Sequence, residues 1–276
     1  MLPTPAHVRA VYTGSDLAAA GAAVAAGAPV SSSEVVPGAG LLDIAQAGTI
    51  LMDCSTIDPA SAGTLSAAAR ERGLRALDAP VSGGVTGAAA GTLTFMLGGS
   101  PDDAAAVDPL LASMGKARLH CGDLPGSGQA AKLCNNMLLA VTMVGAAEAM
   151  KLGAHLGLDS ARLAGVLNVS TGRSWSTDTY NPAPGALANE NLPANRDYAG
   201  GFANVLMNKD LGLALSAARR EDVATPISDL AGRIYATLAE DPAYRGLDFG
   251  SVYKWLGSQK RADCSAAEAQ EKKVSC

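Results

Sequence analysis

The α/β and all-helical parts of the sequence meet at Gly126-Ser127-Gly128-Gln129-Ala130-Ala131-Lys132-Leu133-Cys134-Asn135-Asn136. Two glycines open an apolar run that carries one lysine, and an asparagine follows that lysine four residues later. Residues four apart lie on one face of a helix, so Lys132 and Asn136 are expected to point into the same space. Most helical lysines are solvated, but this one lies among residues that suit a packed helix. We therefore interpret the pair as a candidate site for a small anionic substrate, which the glycines would allow to approach closely.

Composition limits the possible functions. A length of 276 residues suggests about two domains. The net charge of -5, without a basic block except near the end, argues against nucleic-acid binding. Five scattered cysteines without a Cys-x-x-Cys pair indicate reduced thiols, and three widely spaced histidines argue against a zinc site. No targeting segment and no stretch suited to cross a membrane is predicted.

Hydrophobic patterning divides the chain into an α/β part and an all-helical part. Before the central stretch, predicted strands at 49–54, 74–78, 92–97 and 118–121 alternate with helices at 59–72 and 101–114. Such alternation predicts a mostly parallel, Rossmann-like sheet with helices on its faces. After it, only helices are predicted, at 129–156, 160–168, 201–221 and 227–239, with a long functional loop at 170–200. We expect domains at 1–125 and 126–256, with the long helix connecting them, and a solvated, disordered tail at 257–276.

The N-terminal region is less regular. A short helix is predicted to start after Pro5, which is tolerated in a first helical turn. Residues 14–48 are rich in Gly, Ala and Ser and predict a loose helix or a flexible loop.

Three further motifs each have an ordinary alternative. The central stretch also matches Gly-x-Gly-x-x-Ala, a dinucleotide fingerprint, but Glu148 at the expected acidic position lies within a helical run, so we reject a pyrophosphate loop. Ser82-Gly83-Gly84 follows a predicted strand and could bind an anion through its hydroxyl and backbone N–H groups, or be a turn of small residues. Lys209-Asp210, taken alone, predicts a surface ion pair.

Taken together, these segments resemble the β-hydroxyacid dehydrogenase family, and within it the 3-hydroxyisobutyrate dehydrogenases. The resemblance runs from Met1 to about Leu256. The segments at 54–59, 78–84, 126–136 and 209–211 are typical of the wider family, and the segment at 170–185 is similar to the hydroxyisobutyrate branch.

The resemblance implies an enzyme that uses NAD to oxidise 3-hydroxyisobutyrate to methylmalonate semialdehyde in valine breakdown. Lys132 would be the catalytic acid/base, its pKa lowered by desolvation. The implied carboxylate-binding residues are Ser82, Gly83, Gly84 and Asn136. The implied NAD-site residues are Leu2, Pro3, Thr56 and Lys209, with Lys209 beside the nicotinamide end. The family also implies a homo-oligomer without a metal.

The chain departs from the family pattern at its start. The family begins with a strand, a glycine fingerprint and further strands, whereas this sequence opens at Leu2-Pro3. The hypothesis from sequence is an N-terminally truncated form or an incomplete gene model, in which NAD binding is impaired. Three alternatives stay open: a reductase of tartronate semialdehyde, one of succinic semialdehyde, and a non-catalytic remnant. The family implies a mitochondrial location in eukaryotes, and a cytoplasmic one is the alternative for a chain without a visible leader.

Overall fold

The computed structural model describes residues 1–14 and 40–259. Most of the alanine-rich segment predicted at 14–48, and the predicted tail from residue 260, lie outside the described residues. The first elements are helices α1 (Pro5–Thr13) and α2 (Leu41–Ile44). They are followed by β1 (Ile50–Asp53), α3 (Pro59–Glu71), β2 (Arg75–Asp78), β3 (Val81–Ser82), α4 (Gly84–Ala89), β4 (Leu93–Gly98), α5 (Pro101–Ala112) and β5 (Gly115–Gly122).

After β5 the described chain is helical. Its elements are α6 (Ser127–His155), α7 (Ser160–Val169), α8 (Trp175–Asp178), a 3₁₀ turn (Pro193–Arg196), α9 (Asn204–Arg220), α10 (Pro226–Glu240), a 3₁₀ turn (Phe249–Ser251) and α11 (Val252–Ser258). The predicted helices therefore exist with ends that differ by a few residues. The segment predicted as a loop at 170–200 contains α8 and a 3₁₀ turn, which are too short to show a hydrophobic period. Helix α11 crosses the expected start of the tail at residue 257 and ends at Ser258.

The five strands form one mixed sheet. Strands lie in the order β1-β2-β4-β3, and β5 pairs with β4. The longer pairings, β1 with β2 and β4 with β5, are parallel, as the sequence predicted. Strand β4 runs antiparallel to β2 and β3, because the two-residue strand β3 and the short helix α4 turn the chain back before β4. The pairing of β1 with β2 places Asp53 beside Asp78 at the carboxyl ends of both strands.

Apolar side chains form separate clusters on the sheet side and on the helical side. One cluster joins α1, β1 and α3, and another fills the space between β2, β4 and α5. The largest cluster lies between α6, α9, α10 and α11, with Tyr235 and Phe249 fully buried in it. Small and aliphatic side chains supply most of this packing, as the 4% aromatic content predicted.

Helix α6 connects the two sides. It runs for 29 residues and packs against β4 and β5 at one end and against α9, α10 and α11 along its length. By length and composition alone it is apolar enough to cross a membrane, but these contacts are those of a core helix. The carboxylate of Asp78 accepts hydrogen bonds from the backbone N–H groups of Gly126 (2.6 Å) and Gln129 (2.8 Å). This carboxylate therefore satisfies N–H groups that a helix start leaves unpaired, and it fixes α6 to the end of β2.

The glycines at the start of α6 let this helix pack closely against the protein's own backbone. The sequence had instead suggested that they let a substrate approach. A Cβ on Gly128 would collide with the carbonyl oxygen of Met96 in β4. Gly126 has φ +92°, and a Cβ there would lie 2.6 Å from the carbonyl oxygen of Pro59. The absence of side chains lets the helix lie directly on the backbone of β4 and α3.

We expect Gly128→Ala to destabilise the protein, because the added methyl group has no room between α6 and β4. Overpacking of this kind costs about 1–3 kcal/mol. The matched control is Gly145→Ala on the same helix, where nothing lies within 4 Å of the added Cβ. Gly in a helix interior is about 0.5–1 kcal/mol less stable than Ala, so the control should stabilise. Urea unfolding measures both, and equal effects of the two substitutions would contradict this packing.

Candidate active site at the start of the long helix

Lys132 and Asn136 lie inside the molecule on α6. Their exposed fractions are 7% and 2%, although both side chains are polar. A charged or amide group at such depth needs hydrogen-bond partners. For Asn136, the partners from another element come from α9, which packs along α6.

The Lys209-Asp210 pair on α9 supplies those partners, and it is not the surface ion pair that the sequence favoured. Asp210 is only 3% exposed, and its Oδ2 accepts a hydrogen bond of 2.7 Å from Nδ2 of Asn136. Its Oδ1 lies 2.7 Å from Nζ of Lys209. The Oδ1 of Asn136 accepts from Asn135 at 3.0 Å. An amide has two N–H donors, and among residues 1–14 and 40–259 only one N–H of Asn136 is paired.

Burial within this cluster lowers the pKa of Lys132 from its ordinary value of 10.5 to about 8. Burial is the largest cause, because it disfavours the charged ammonium. The negative charge of Asp210 raises the pKa and the positive charge of Lys209 lowers it further. The amine can therefore both hold and release a proton in the mildly alkaline range, as a general acid/base requires.

A loop at the carboxyl end of β1 brings together most of the residues expected at the cofactor site. Nζ of Lys209 donates a 2.8 Å hydrogen bond to the carbonyl oxygen of Thr56. The backbone N–H of Leu2 donates to Oγ of Ser55 at 2.7 Å. Pro3 follows Leu2 and is exposed. Leu2, Thr56 and Lys209 are therefore joined through hydrogen bonds to one short loop.

This loop fits a nicotinamide dinucleotide. Leu2, Thr56 and Lys209 are each partly exposed, so this part of the loop is not closed off by protein. The loop follows β1 at the carboxyl end of the parallel β1–β2 pair, where sheets of this class bind their ligands. An ammonium and accessible backbone groups suit an anionic dinucleotide.

Ser82, Gly83 and Gly84 lie in a different local setting. Ser82 ends β3, and the two glycines begin α4 with φ +131° and +61°. Within residues 1–14 and 40–259, no hydrogen bond joins this segment to Lys132 or Asn136. Ser82 is half-buried and both glycines are exposed, so their backbone remains accessible. Their role in carboxylate binding stays a prediction.

Three residues that organise this region were not identified as site residues from sequence. They are Asp78, which caps α6, Asp210, which holds Asn136, and Gln129, which is fully buried. Gln129 lies three residues before Lys132, but nothing in a sequence shows that its amide contacts a loop 72 to 74 residues earlier in the chain. Lys209-Asp210 was visible as a motif, and only its burial distinguishes it from a solvated pair.

Comparison with known proteins identifies dehydrogenases over most of the chain. Residues 6–122 match the model "NAD binding domain of 6-phosphogluconate dehydrogenase", and residues 126–256 match "NAD-binding of NADP-dependent 3-hydroxyisobutyrate dehydrogenase". The human mitochondrial 3-hydroxyisobutyrate dehydrogenase is 46% identical over 232 residues, which are 84% of this chain and 68% of that protein. The chain belongs to the 3-hydroxyisobutyrate dehydrogenase family.

Two further relatives have names that mention L-serine. The NAD-dependent L-serine dehydrogenase of Pseudomonas aeruginosa is 46% identical over 254 residues, which are 92% of this chain and 76% of that protein. The structure of Mycobacterium tuberculosis 3-hydroxyisobutyrate dehydrogenase with L-serine matches with a TM-score of 0.78 and 39% identity, covering 95% of this chain and 78% of that one. The family is one of NAD-dependent hydroxyacid dehydrogenases, which confirms the predicted enzyme class and the cofactor NAD.

We expect Lys132 to titrate at about pH 8 in the folded protein. NMR of protein labelled with ¹³C-lysine measures this through the Cε resonance, assigned by its loss in Lys132→Met. Asp210→Asn removes the negative charge that raises this pKa, so the midpoint should move to lower pH. Asp229→Asn, on the exposed side of α10, is the control and should leave the midpoint unchanged. A midpoint near the ordinary lysine value, or an upward move in Asp210→Asn, would contradict the assignment.

Proposed function

We propose that this chain catalyses the NAD-dependent oxidation of 3-hydroxyisobutyrate to methylmalonate semialdehyde, a step of valine breakdown. The observation that carries the proposal is the buried Lys132, with its pKa lowered to about 8, one helical turn from an amide that has a free N–H. Oxidation of an alcohol needs a base that is neutral under mild conditions and a group that holds the substrate carboxylate nearby. These two residues meet both needs.

Each site residue then has a defined part in the reaction. Lys132 accepts the proton of the substrate hydroxyl through its neutral Nζ and returns it in the reverse reaction. Asn136 donates its remaining N–H to the substrate carboxylate, and Ser82, Gly83 and Gly84 supply a hydroxyl and backbone N–H groups to the same carboxylate. NAD, when bound, supplies the hydride acceptor.

The proposed NAD site lies at the loop after β1. Leu2, Pro3 and Thr56 line the NAD site, and Lys209 lies at its nicotinamide end. In this arrangement residues 1–125 form the cofactor domain and residues 126–256 the helical domain. Lys209 reaches from the helical part to the Thr56 carbonyl of the sheet part, which supports a site between the two.

L-serine is the second candidate substrate, because one relative is named for its oxidation and a related structure contains it. L-serine carries an ammonium where 3-hydroxyisobutyrate carries a methyl group. Both oxygens of Asp210 already contact Asn136 and Lys209, so this carboxylate is not free to pair with the ammonium of L-serine. This occupancy supports the hydroxyisobutyrate assignment.

Substrate specificity tests the proposal directly. We expect kcat/KM for 3-hydroxyisobutyrate to exceed that for L-serine, glycerate and 4-hydroxybutyrate by at least about tenfold, a difference of about 1.4 kcal/mol in transition-state binding. Steady-state kinetics with NAD measure this. Lys132→Ala is the control: it should lose about 10²–10⁴-fold in kcat and still bind NADH in a fluorescence titration. A preference for another of these acids would overturn the substrate assignment.

We also propose self-association through the outer face of α6. Leu138, Leu152 and Leu156 are 63%, 61% and 71% exposed, and their spacing places them on one side of the helix. An apolar stripe of this kind is typical of an interface.

Mitochondrial and bacterial relatives both match the chain, and we assign a mitochondrial location only by analogy with the eukaryotic ones.

Light scattering after size-exclusion chromatography tests the interface. We expect the native chain to elute as an oligomer and Leu152→Glu to shift it to a smaller species, because a buried unpaired charge is costly. Leu110→Glu is the control, since Leu110 is 57% exposed on α5, away from α6. A monomeric native chain, or the same shift in both variants, would contradict the proposal.

A further inference from the structure

Gln129 makes two hydrogen bonds to a loop that belongs to the other side of the molecule. Its side chain is fully buried. Its Oε1 accepts from the backbone N–H of Ile57 at 3.0 Å, and its Nε2 donates to the carbonyl oxygen of Ser55 at 2.7 Å. Both partners are main-chain groups, so the glutamine holds the loop at two points on either side of Thr56.

The loop held in this way is the one that carries the candidate cofactor contacts. Thr56 lies between the two held residues, and its carbonyl oxygen accepts from Nζ of Lys209. Ser55 accepts the backbone N–H of Leu2 through its hydroxyl. A shift of this loop would therefore move three of the four residues proposed for the NAD site.

Gln129 itself lies on α6, the helix that carries Lys132. Gln129 precedes Lys132 by three residues, about one helical turn, so the two side chains have a fixed relation. The backbone N–H of Gln129 is itself held by Asp78 at 2.8 Å. Its main chain is thus fixed to the end of β2, while its side chain fixes the loop after β1.

We propose that Gln129 is a positioning residue that sets the distance between the cofactor-binding loop at 55–57 and the proton-transferring Lys132. The proposal rests on the site assignment made above. Hydride transfer needs the reacting atoms about 3–3.5 Å apart, and a displacement of about 1 Å can cost about 10²-fold in rate. A glutamine suits the role because one side-chain amide supplies both an acceptor and a donor.

The kinetic test uses Gln129→Met, which keeps an unbranched side chain of similar length and removes both hydrogen bonds. We expect KM for NAD to rise at least tenfold and kcat to fall, while KM for the hydroxy acid changes less than threefold. Gln129→Glu keeps an acceptor for Ile57 but sets a second oxygen against the carbonyl oxygen of Ser55, so its KM for NAD should also rise.

A control separates positioning from loss of stability. Asn204 is another fully buried amide, and it donates to the carbonyl oxygens of Tyr244 and Leu247 and to the hydroxyl of Ser251 in the helical part. Asn204→Ala should lower Tm but change KM for NAD less than threefold. An equal rise of KM for NAD in Asn204→Ala, or no rise in Gln129→Met, would overturn the proposal.

A second readout needs neither cofactor nor turnover. In the ligand-free chain, hydrogen exchange at the backbone N–H of Ile57 should be at least tenfold faster in Gln129→Met. The backbone N–H of residue 129, which donates to Asp78, should stay protected from exchange in the variant. If Ile57 exchange is unchanged, Gln129 does not hold the loop and the inference fails. If the native chain neither binds NADH nor turns over substrate, the proposed function fails instead, and the exchange result still decides whether the loop is held.

Discussion

The capping of α6 by Asp78 is the interaction on which the rest of the site depends. Asp78 ends β2, and its two oxygens accept the backbone N–H groups of Gly126 and Gln129. Burial raises the pKa of this carboxyl, and the N–H groups of the helix start oppose that rise by stabilising the charged form. Since a helix is rigid over several turns, fixing its first turn on the sheet also fixes where Lys132 and Asn136 lie.

The second constraint is electrostatic. Lys132 is buried with one carboxylate, Asp210, and a second ammonium, Lys209, close enough to affect its pKa. Asp210 also holds Asn136, so the same carboxylate adjusts the proton affinity of the lysine and orients the neighbouring amide. Burial has a larger effect on the pKa of Lys132 than the negative charge of Asp210, because this pKa falls to about 8, below its ordinary value. The cluster thus keeps a lysine in the interior at a cost in stability.

Much of this arrangement was predicted from local patterns. The alternation of strands and helices up to residue 125, the change to helices after it, and the family that the motifs resemble were all confirmed. The two-residue strand β3 was missed, because two residues carry no period. The glycines at 126 and 128 were linked to substrate approach, whereas the structure shows them packed against Pro59 and Met96. A glycine in sequence indicates only that something lies close, and not whether that is a ligand or the protein's own backbone.

The sequence by itself determined the class of fold, the family, and the presence of a lysine and an amide one turn apart on a helix. These features depend on residues near one another along the chain, where hydrophobic periodicity and helical spacing apply. The tertiary structure alone shows that Asp210 is buried, that Gln129 holds the loop around Thr56, and that the pKa of Lys132 falls. These properties arise from contacts between residues 72 to 74 positions apart and from the removal of water around them, which a linear pattern does not encode.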